Sequence, residues 1–232
     1  MGKRKPVGPP PSTTAGDVAE GLARAVLSIV PIVGGPTAEL FGLVIDPVLH
    51  RRSKAWLGRL AEVVDDLQAH GVDVRTLEDN ELLVTVILNA TQAAARTHEQ
   101  EKLEVLRNAI TNSALGVAPE EHVQLMFVRF IDEFTTLHLH LLAYLRDPPG
   151  WFDAHSLARP TPGLSGSRSQ ILEAGLPELS GRKDLYMQAV NELAARGLAQ
   201  AALGGLVTAH GAWDALTTPF GNQFLDFISR PR

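Results

Sequence analysis

The feature that most constrains this chain is an apolar stretch at residues 25–49, AVLSIVPIVGGPTAELFGLVIDPVL. It is slightly longer than the roughly 20 residues that a membrane-spanning helix requires. Pro31, the Gly34-Gly35 pair and Pro36 interrupt it near its middle, where prolines end or kink helices and paired glycines favour a tight turn. The pattern therefore predicts two helices joined by a turn, not one continuous span.

Two alternatives follow for this apolar hairpin, which extends over residues 22–49. It is either the buried centre of a helical bundle or the part of the protein that meets a membrane. Apolar helices of 10–14 residues are more often core than membrane-spanning, so the resting state is predicted to be a buried hairpin. Membrane insertion would then be a second state that requires the bundle to open.

Composition favours a helical protein and excludes several kinds of chemistry. Of the 232 residues 45% are hydrophobic and only 6% are aromatic, with no cysteine and a net charge of -5. The charge argues against a general nucleic-acid binder, and the lack of cysteine removes disulfides, thiolate metal sites and cysteine nucleophiles. Residues 1–16, rich in proline, are expected to form a disordered tail and not a secretory signal, so a cytoplasmic location is expected.

Helical periodicity predicts an α-helical bundle over residues 17–148. A helix is expected to start at Pro36 and to continue, directly or after Pro47, through Leu67 to a stop at Gly71. Two long helices are expected next, at residues 76–115 and 119–145. Thr76 to Asp79 has the form of a capping box at the first of these.

Residues 149–166 change to a mixture of proline, glycine and serine and are predicted to be a linker. A smaller domain is expected at 167–232. Its predicted elements are short helices near 169–174 and 176–179, a longer helix at 182–196, a hairpin of two short strands around a glycine-rich turn, and a final helix. The fold class is thus mainly α, with a helical bundle followed by a small domain that contains a short β-hairpin.

The C-terminal segment resembles a winged helix. The resemblance rests on the helix LYMQAVNELAARGLA at 185–199, the small hairpin after it, and a closing pattern formed by Leu216, Thr217, Gly221, Phe224 and Leu225. In DNA-binding winged helices the helix before the wing enters the major groove, which would make Arg182, Lys183, Gln188 and Asn191 the contact residues. The wing at 204–214 has no Lys or Arg, and phosphate contacts need them, so packing or protein contact is favoured over DNA binding.

The N-terminal part resembles uncharacterised bacterial helical proteins linked to phage abortive infection. Four motifs carry the resemblance: IVPIVGGP at 29–36, RRSKAWL at 51–57, LEDNE at 77–81 and EKLEVLRNA at 101–109. The resemblance implies a helical bundle and a defence context. It implies no reaction and no catalytic residues.

Histidines and acids near residues 98–101 and 132–140 are candidates for a metal site. His138 and His140 are two positions apart and so point to different sides of a helix, whereas ligands on one face need a spacing of three or four. Neither a metal nor a cofactor site is predicted, and no catalytic constellation is visible. Residues 101–107 are expected to form a solvated face with ion pairs within the helix. Asn108 and Asn112 are expected to line a buried polar seam, with a partner contact as the alternative.

The sequence therefore predicts a non-enzymatic interaction or effector protein that acts through a protein partner or through its own oligomer. The first alternative is a cell-death effector that perturbs membranes by releasing the hairpin and is membrane-associated on activation. The second is a DNA-binding regulator. The candidate membrane or partner residues are Ile29, Pro31, Gly34, Gly35, Pro36, Glu39, Phe41, Arg51 and Arg52.

Overall fold

The computed structural model describes residues 36–73, 77, 79–160, 165–205 and 207–231, with the side chains of 36–46 and 165–166 outside the description. The prediction of a mainly helical protein is confirmed. The described residues form nine α-helices, numbered here in chain order: α1 (Pro36–Ala69), α2 (Glu81–Arg96), α3 (Gln100–Ala114), α4 (Glu121–Glu133), α5 (Thr136–Arg146), α6 (Pro148–Ala154), α7 (Arg168–Gly175), α8 (Lys183–Ala195) and α9 (Pro219–Ile228).

Helix α1 is a single helix of 34 residues that includes Pro47. The chain leaves it through Gly71, whose φ of +76° is a backbone conformation that glycine adopts without strain. The predicted stop at this position is confirmed. The first half of the predicted hairpin, with Ile29, Pro31, Gly34 and Gly35, lies outside the described residues.

The prediction of one continuous helix at 76–115 is wrong, because the chain reverses at residues 97–99. Thr97 is extended, and its hydroxyl accepts a hydrogen bond from the Glu99 backbone N–H at 3.1 Å. Such local side-chain bonds compete with helix continuation. At the other end, Asn80 caps α2 by accepting from the Leu83 N–H at 3.0 Å, so α2 begins slightly later than predicted.

The continuous helix predicted at 119–145 is also wrong, since Phe134 and Thr135 separate α4 from α5. Thr135 starts α5 with a reciprocal cap in which its backbone N–H donates to His138 Nδ1 at 3.2 Å. Because the helix is interrupted here, α5 runs in a different direction from α4 and packs against α8.

Helix α6 begins at Pro148, one residue before the predicted linker, extends through Ala154 within it, and buries Phe152 completely. Asp147 caps α6 by accepting a hydrogen bond from the Gly150 N–H at 3.0 Å. The proline-rich composition predicted a linker, but prolines are well tolerated in the first turn of a helix. Composition alone therefore did not reveal α6.

In the C-terminal region the helices match the prediction, and two 3₁₀ turns join them at Pro177–Leu179 and Gly211–Trp213. The predicted hairpin does not form as expected. Strand β2 (Val207–Thr208) pairs antiparallel with β1 (Ser165–Gly166), and Ala199 pairs with Thr217 in an isolated bridge.

Two side chains of α7 explain the altered pairing. Arg168 donates to the carbonyls of Gly211 and Ala202 at 3.1 and 3.0 Å, and the Ser169 hydroxyl donates to the carbonyl of Leu203 at 3.0 Å. Backbone acceptors that a hairpin ladder would use are thus occupied by α7.

A single hydrophobic core runs through the described residues from Trp56 in α1 to Ile228 in α9. Helix α9 packs against α3 and α5, and its phenylalanines surround Phe127 of α4, with ring centroids 4.9 Å away for Phe220 and 5.2 Å for Phe224. The C-terminal helix therefore completes the core of the N-terminal bundle.

Candidate functional site

Helix α1 projects past the helices that it packs against. It runs antiparallel to α2, since Arg52 Nη1 donates to the Ala95 carbonyl at 3.2 Å and Trp56 Nε1 donates to Thr91 Oγ1 at 3.0 Å. In this register residue 51 lies opposite the end of α2 at Arg96. The segment 36–51, here called the α1 arm, thus continues beyond the α2–α3 turn for about 24 Å at 1.5 Å per residue.

The described side chains of the α1 arm are not buried. Pro47, His50 and Arg51 are exposed and Val48 and Leu49 are half-buried, and from Pro47 onward Trp56 is the first buried residue of α1. Of the residues that the sequence singles out here, Pro36 begins the helix, and Glu39 and Phe41 belong to it with their side chains outside the description. Arg51 is exposed, while Arg52 is half-buried and bound to α2.

The predicted winged-helix contacts lie on and just before α8. Arg182, Lys183, Gln188 and Asn191 are all exposed. One edge of α8 is nevertheless occupied by the bundle, because Glu192 bonds His138 of α5 at 2.9 Å and Arg196 pairs with Glu133 of α4 at 2.6 Å.

The carboxyl of Glu192 has a lowered pKa. A hydrogen bond from Gln188, at 2.8 Å, and then the bond to His138 lower the pKa of its carboxyl. His140 pairs instead with Glu101 at 2.8 Å. The prediction that His138 and His140 point to different sides is confirmed, and the described residues contain no group of three or more side chains suited to a metal ion.

The predicted polar seam at Asn108 and Asn112 is confirmed. Both are buried, and their amides donate to the last carbonyls of α9: Asn108 to Ile228 at 3.0 Å, and Asn112 to Phe227 and Ser229 at 2.8 Å each. These asparagines satisfy a helix end that would otherwise leave carbonyls without donors. Their role is structural.

The expectation of a fully solvated face at 101–107 is wrong for two of its cations. Arg107 is buried and pairs with Asp66 of α1 and with Glu104. Although burial acts to lower it, hydrogen bonds and charge from these acids raise the pKa of Arg107. Lys102 is also buried, at 8% exposure, and burial lowers its pKa.

An open cleft of about 440 Å³ lies at the α2–α3 turn, beside Lys102. Sequence reasoning did not find it, because its residues come from the α2–α3 turn, where periodicity predicted one continuous helix, and from Asp132 near the end of α4. The only signal was the cluster of charge at 96–102. The polar lining consists of Arg96, Thr97, His98, Glu99, Lys102 and Asp132.

The described part of α1 and the other described helices contain no segment that is both long and apolar enough to cross a membrane. Comparisons with protein-family models, curated proteins and solved structures found no match to this chain. The geometry of the α1 arm, the exposed face of α8 and the polar cleft is therefore the basis on which function is argued.

Proposed function

We propose that this chain is a non-enzymatic interaction protein and that the α1 arm is the surface through which it binds another protein or a second copy of itself. The observation that carries the proposal is the projection of α1 past the α2–α3 turn, with none of its described side chains at 47–51 buried. Among the described residues, the exposed side chains of Pro47, His50 and Arg51 are therefore accessible to a partner.

The sequence of the α1 arm supports protein contact. Residues 40–49 read LFGLVIDPVL, with Asp46 the only charged residue among them. Amphipathic or apolar helices commonly dock into grooves of partner proteins, and large apolar surfaces left uncovered mark interaction sites. The apolar residues 25–33, which precede the arm in the chain, would belong to the same surface in the predicted hairpin.

The absence of native cysteine allows a direct test. His50→Cys in the α1 arm and Ala61→Cys in the packed half of α1 both replace exposed side chains. A photo-crosslinker attached at residue 50, in purified protein and in cell extract, should form one discrete adduct that the label at residue 61 does not form. Equal labelling at both positions, or no adduct at residue 50 in either sample, would contradict the proposal.

A membrane-perturbing effector is the second candidate. Two cations, Arg51 and Lys54, are exposed where the apolar segment ends, and basic residues there would attract anionic headgroups at about 1 kcal/mol each. Leakage of anionic vesicles by the full chain, reduced by Gly35→Asp, supports this reading. Intact vesicles at every lipid composition would exclude it.

The winged-helix resemblance supports the DNA-binding candidate, together with the exposure of Arg182 and Lys183 at the start of α8. A helix followed by a strand is the order that a winged helix requires, although β2 pairs with β1 and not with a neighbouring wing strand. A gel shift at low salt that is lost in the double variant Arg182→Gln/Lys183→Gln would support it. The defence context implied by the N-terminal motifs is likewise part of the proposal.

A further inference from the structure

The exposed side of α1 that follows the α1 arm lacks polar residues at its centre. Positions 54, 58, 61 and 65 are spaced by four, three and four residues, so they lie on one side of the helix, and all four are exposed. The exposed side of a helix ordinarily carries polar residues, yet Gly58 and Ala61 form its centre here. A Cβ at Gly58 would meet nothing within 4 Å, so another helix has room to approach the backbone of α1 closely at this point.

Apolar side chains of α2 extend this surface. The antiparallel register of α1 and α2 places Val84 and Leu88 beside the middle of α1. They are two of the five large apolar side chains that the described residues expose, at 41% and 40%. Half-buried Leu57 and Val64 lie on the side of α1 next to them. We call the α1–α2 face the surface formed by Lys54, Gly58, Ala61, Asp65, Val84 and Leu88.

The two ends of the α1–α2 face carry opposite charges. Lys54 and Asp65 are exposed, and within the described part of the chain neither side chain forms an ion pair. Each lies four residues beyond the centre of the face, on opposite sides of it. Exposed Arg51 extends the positive end, and exposed Glu81 of α2 extends the negative end. The face is therefore complementary in charge to a copy of itself that runs in the opposite direction.

We propose that the α1–α2 face binds the same face of a second copy of this chain, with the two α1 helices antiparallel. A two-fold axis midway between Gly58 and Ala61 brings each Gly58 to the partner's Ala61, as in an isologous interface. The same axis pairs each Lys54 with the partner's Asp65, so the interface contains this ion pair twice. The exposed apolar side chains of α2 flank the contact and lose water-accessible area. A parallel arrangement would place like charges opposite each other.

The α1–α2 face is separate from the α1 arm, and pairing through it does not require the arm. Gly58→Arg blocks the centre of the face and should be monomeric through it, and a bulky label at residue 61 would keep two copies apart in the same way. Crosslinking from residue 50 in the Gly58→Arg background therefore distinguishes the two surfaces. An adduct that persists belongs to the arm, whereas an adduct that is lost belongs to the α1–α2 face.

Sedimentation velocity of the purified full chain over a range of concentrations tests the pairing. The wild type should form dimers whose fraction rises with concentration. Lys54→Glu places acid opposite acid and Asp65→Lys places base opposite base, so either variant alone should raise the dimer dissociation constant by about tenfold or more. An equimolar mixture of the two variants should recover dimers, because the acidic face of one then meets the basic face of the other.

Lys183→Glu and Asp184→Lys are the matched controls, since they make the same changes at exposed positions of α8, outside the face. Both should dimerise as the wild type does. A wild type that stays monomeric at every concentration would overturn the proposal. So would single variants at 54 and 65 that dimerise as strongly as the wild type, or a mixture that forms no more dimer than its two components do alone.

Discussion

At the scale of single residues, Asn112 connects parts of the chain that are more than a hundred positions apart. Its amide, at 3% exposure, donates to the carbonyls of Phe227 and Ser229 at the end of α9. Replacement by alanine leaves the carbonyl of Phe227, whose hydrogen bond is buried, and the carbonyl of Ser229, whose hydrogen bond is part-buried, without this donor. We expect Asn112→Ala to lower the free energy of unfolding by about 1–3 kcal/mol.

Asn191 provides the matched control, because it is an exposed asparagine on α8. Asn191→Ala should change the free energy of unfolding by no more than about 0.5 kcal/mol. Urea unfolding of both variants makes the comparison. Equal effects of the two substitutions would show that the polar seam contributes no specific stability.

Single residues also show where sequence patterns carry the least information. The pattern at 101–107 indicated a charged, solvated face, yet α1 covers Arg107 and the end of α4 reaches Lys102. The sequence shows which residues of a helix are charged. It does not show which distant residues pack against them. The polar cleft was missed for this reason, whereas Asn108 and Asn112 were identified because amides among apolar neighbours indicate burial.

At the scale of elements, α9 makes a close backbone contact that only glycine permits. A Cβ at Gly221 would collide with the carbonyl oxygen of Leu198, which also accepts a hydrogen bond from the Thr218 N–H at 3.0 Å. Because backbone atoms cannot move aside cheaply, Gly221→Ala should displace the start of α9 and destabilise the fold by about 1–3 kcal/mol. Thermal unfolding followed by circular dichroism measures the loss.

Gly58 gives the opposite outcome from the same substitution. It is exposed within α1, and a Cβ there would meet nothing within 4 Å. Gly58→Ala should raise stability by about 0.5–1 kcal/mol, because alanine favours the helix and restricts the unfolded chain. If both glycine variants changed stability in the same direction, the close contact at Leu198 would not be the cause.

The contact between α5 and α8 should depend on pH through Glu192. Its pKa is lowered by the bond from Gln188 and by His138, with Arg196 adding favourable charge. A lowered carboxyl pKa means that this stabilisation is present above the unfolded value of about 4.3 and is lost as pH falls through the lower folded value. Glu192→Gln should therefore reduce Tm near neutral pH, and the difference from wild type should shrink in acid.

Glu178→Gln is the control for this pH series, since Glu178 is exposed and outside the α5–α8 contact. Its Tm should follow the wild-type profile throughout. The test is the difference between the two glutamate variants. A Glu192→Gln profile parallel to that of Glu178→Gln would exclude a role for the ionised carboxylate.

Most helices could be predicted from periodicity, and most errors occurred where no glycine or proline marks a break. Gly71, Gly116 and Gly197 end helices with positive φ, as their positions in the sequence indicated. The breaks after α2 and α4 depend instead on Thr97 and Thr135, which are common inside helices as well. Strand β2 pairs with residues 165–166, and side chains of α7 hydrogen-bond the carbonyls nearer to it in the chain. Local turn signals in the sequence contain no information on such long-range contacts.

At the scale of the whole molecule, the core does not divide at the predicted linker. Phe152 of α6 packs against Trp213 with ring centroids 5.3 Å apart, and the Leu216 N–H donates to the carbonyl of Leu145 at 2.8 Å. The phenylalanines of α9 complete the packing around Phe127. Apolar side chains from the two predicted domains thus bury one another. Separating the domains would expose this apolar area to water.

We therefore expect the described bundle to unfold in one cooperative step. Trp56 reports on α1 and Trp213 on the C-terminal region, so two variants can follow them separately: Trp151→Phe/Trp213→Phe retains Trp56, and Trp56→Phe/Trp151→Phe retains Trp213. In each variant the fluorescence transition should coincide with the loss of helix measured by circular dichroism, because coincident probes are the signature of two-state unfolding. A variant in which fluorescence changes while much of the helix signal remains would show that the bundle and the C-terminal region are separate folding units, joined by contacts too weak to couple them.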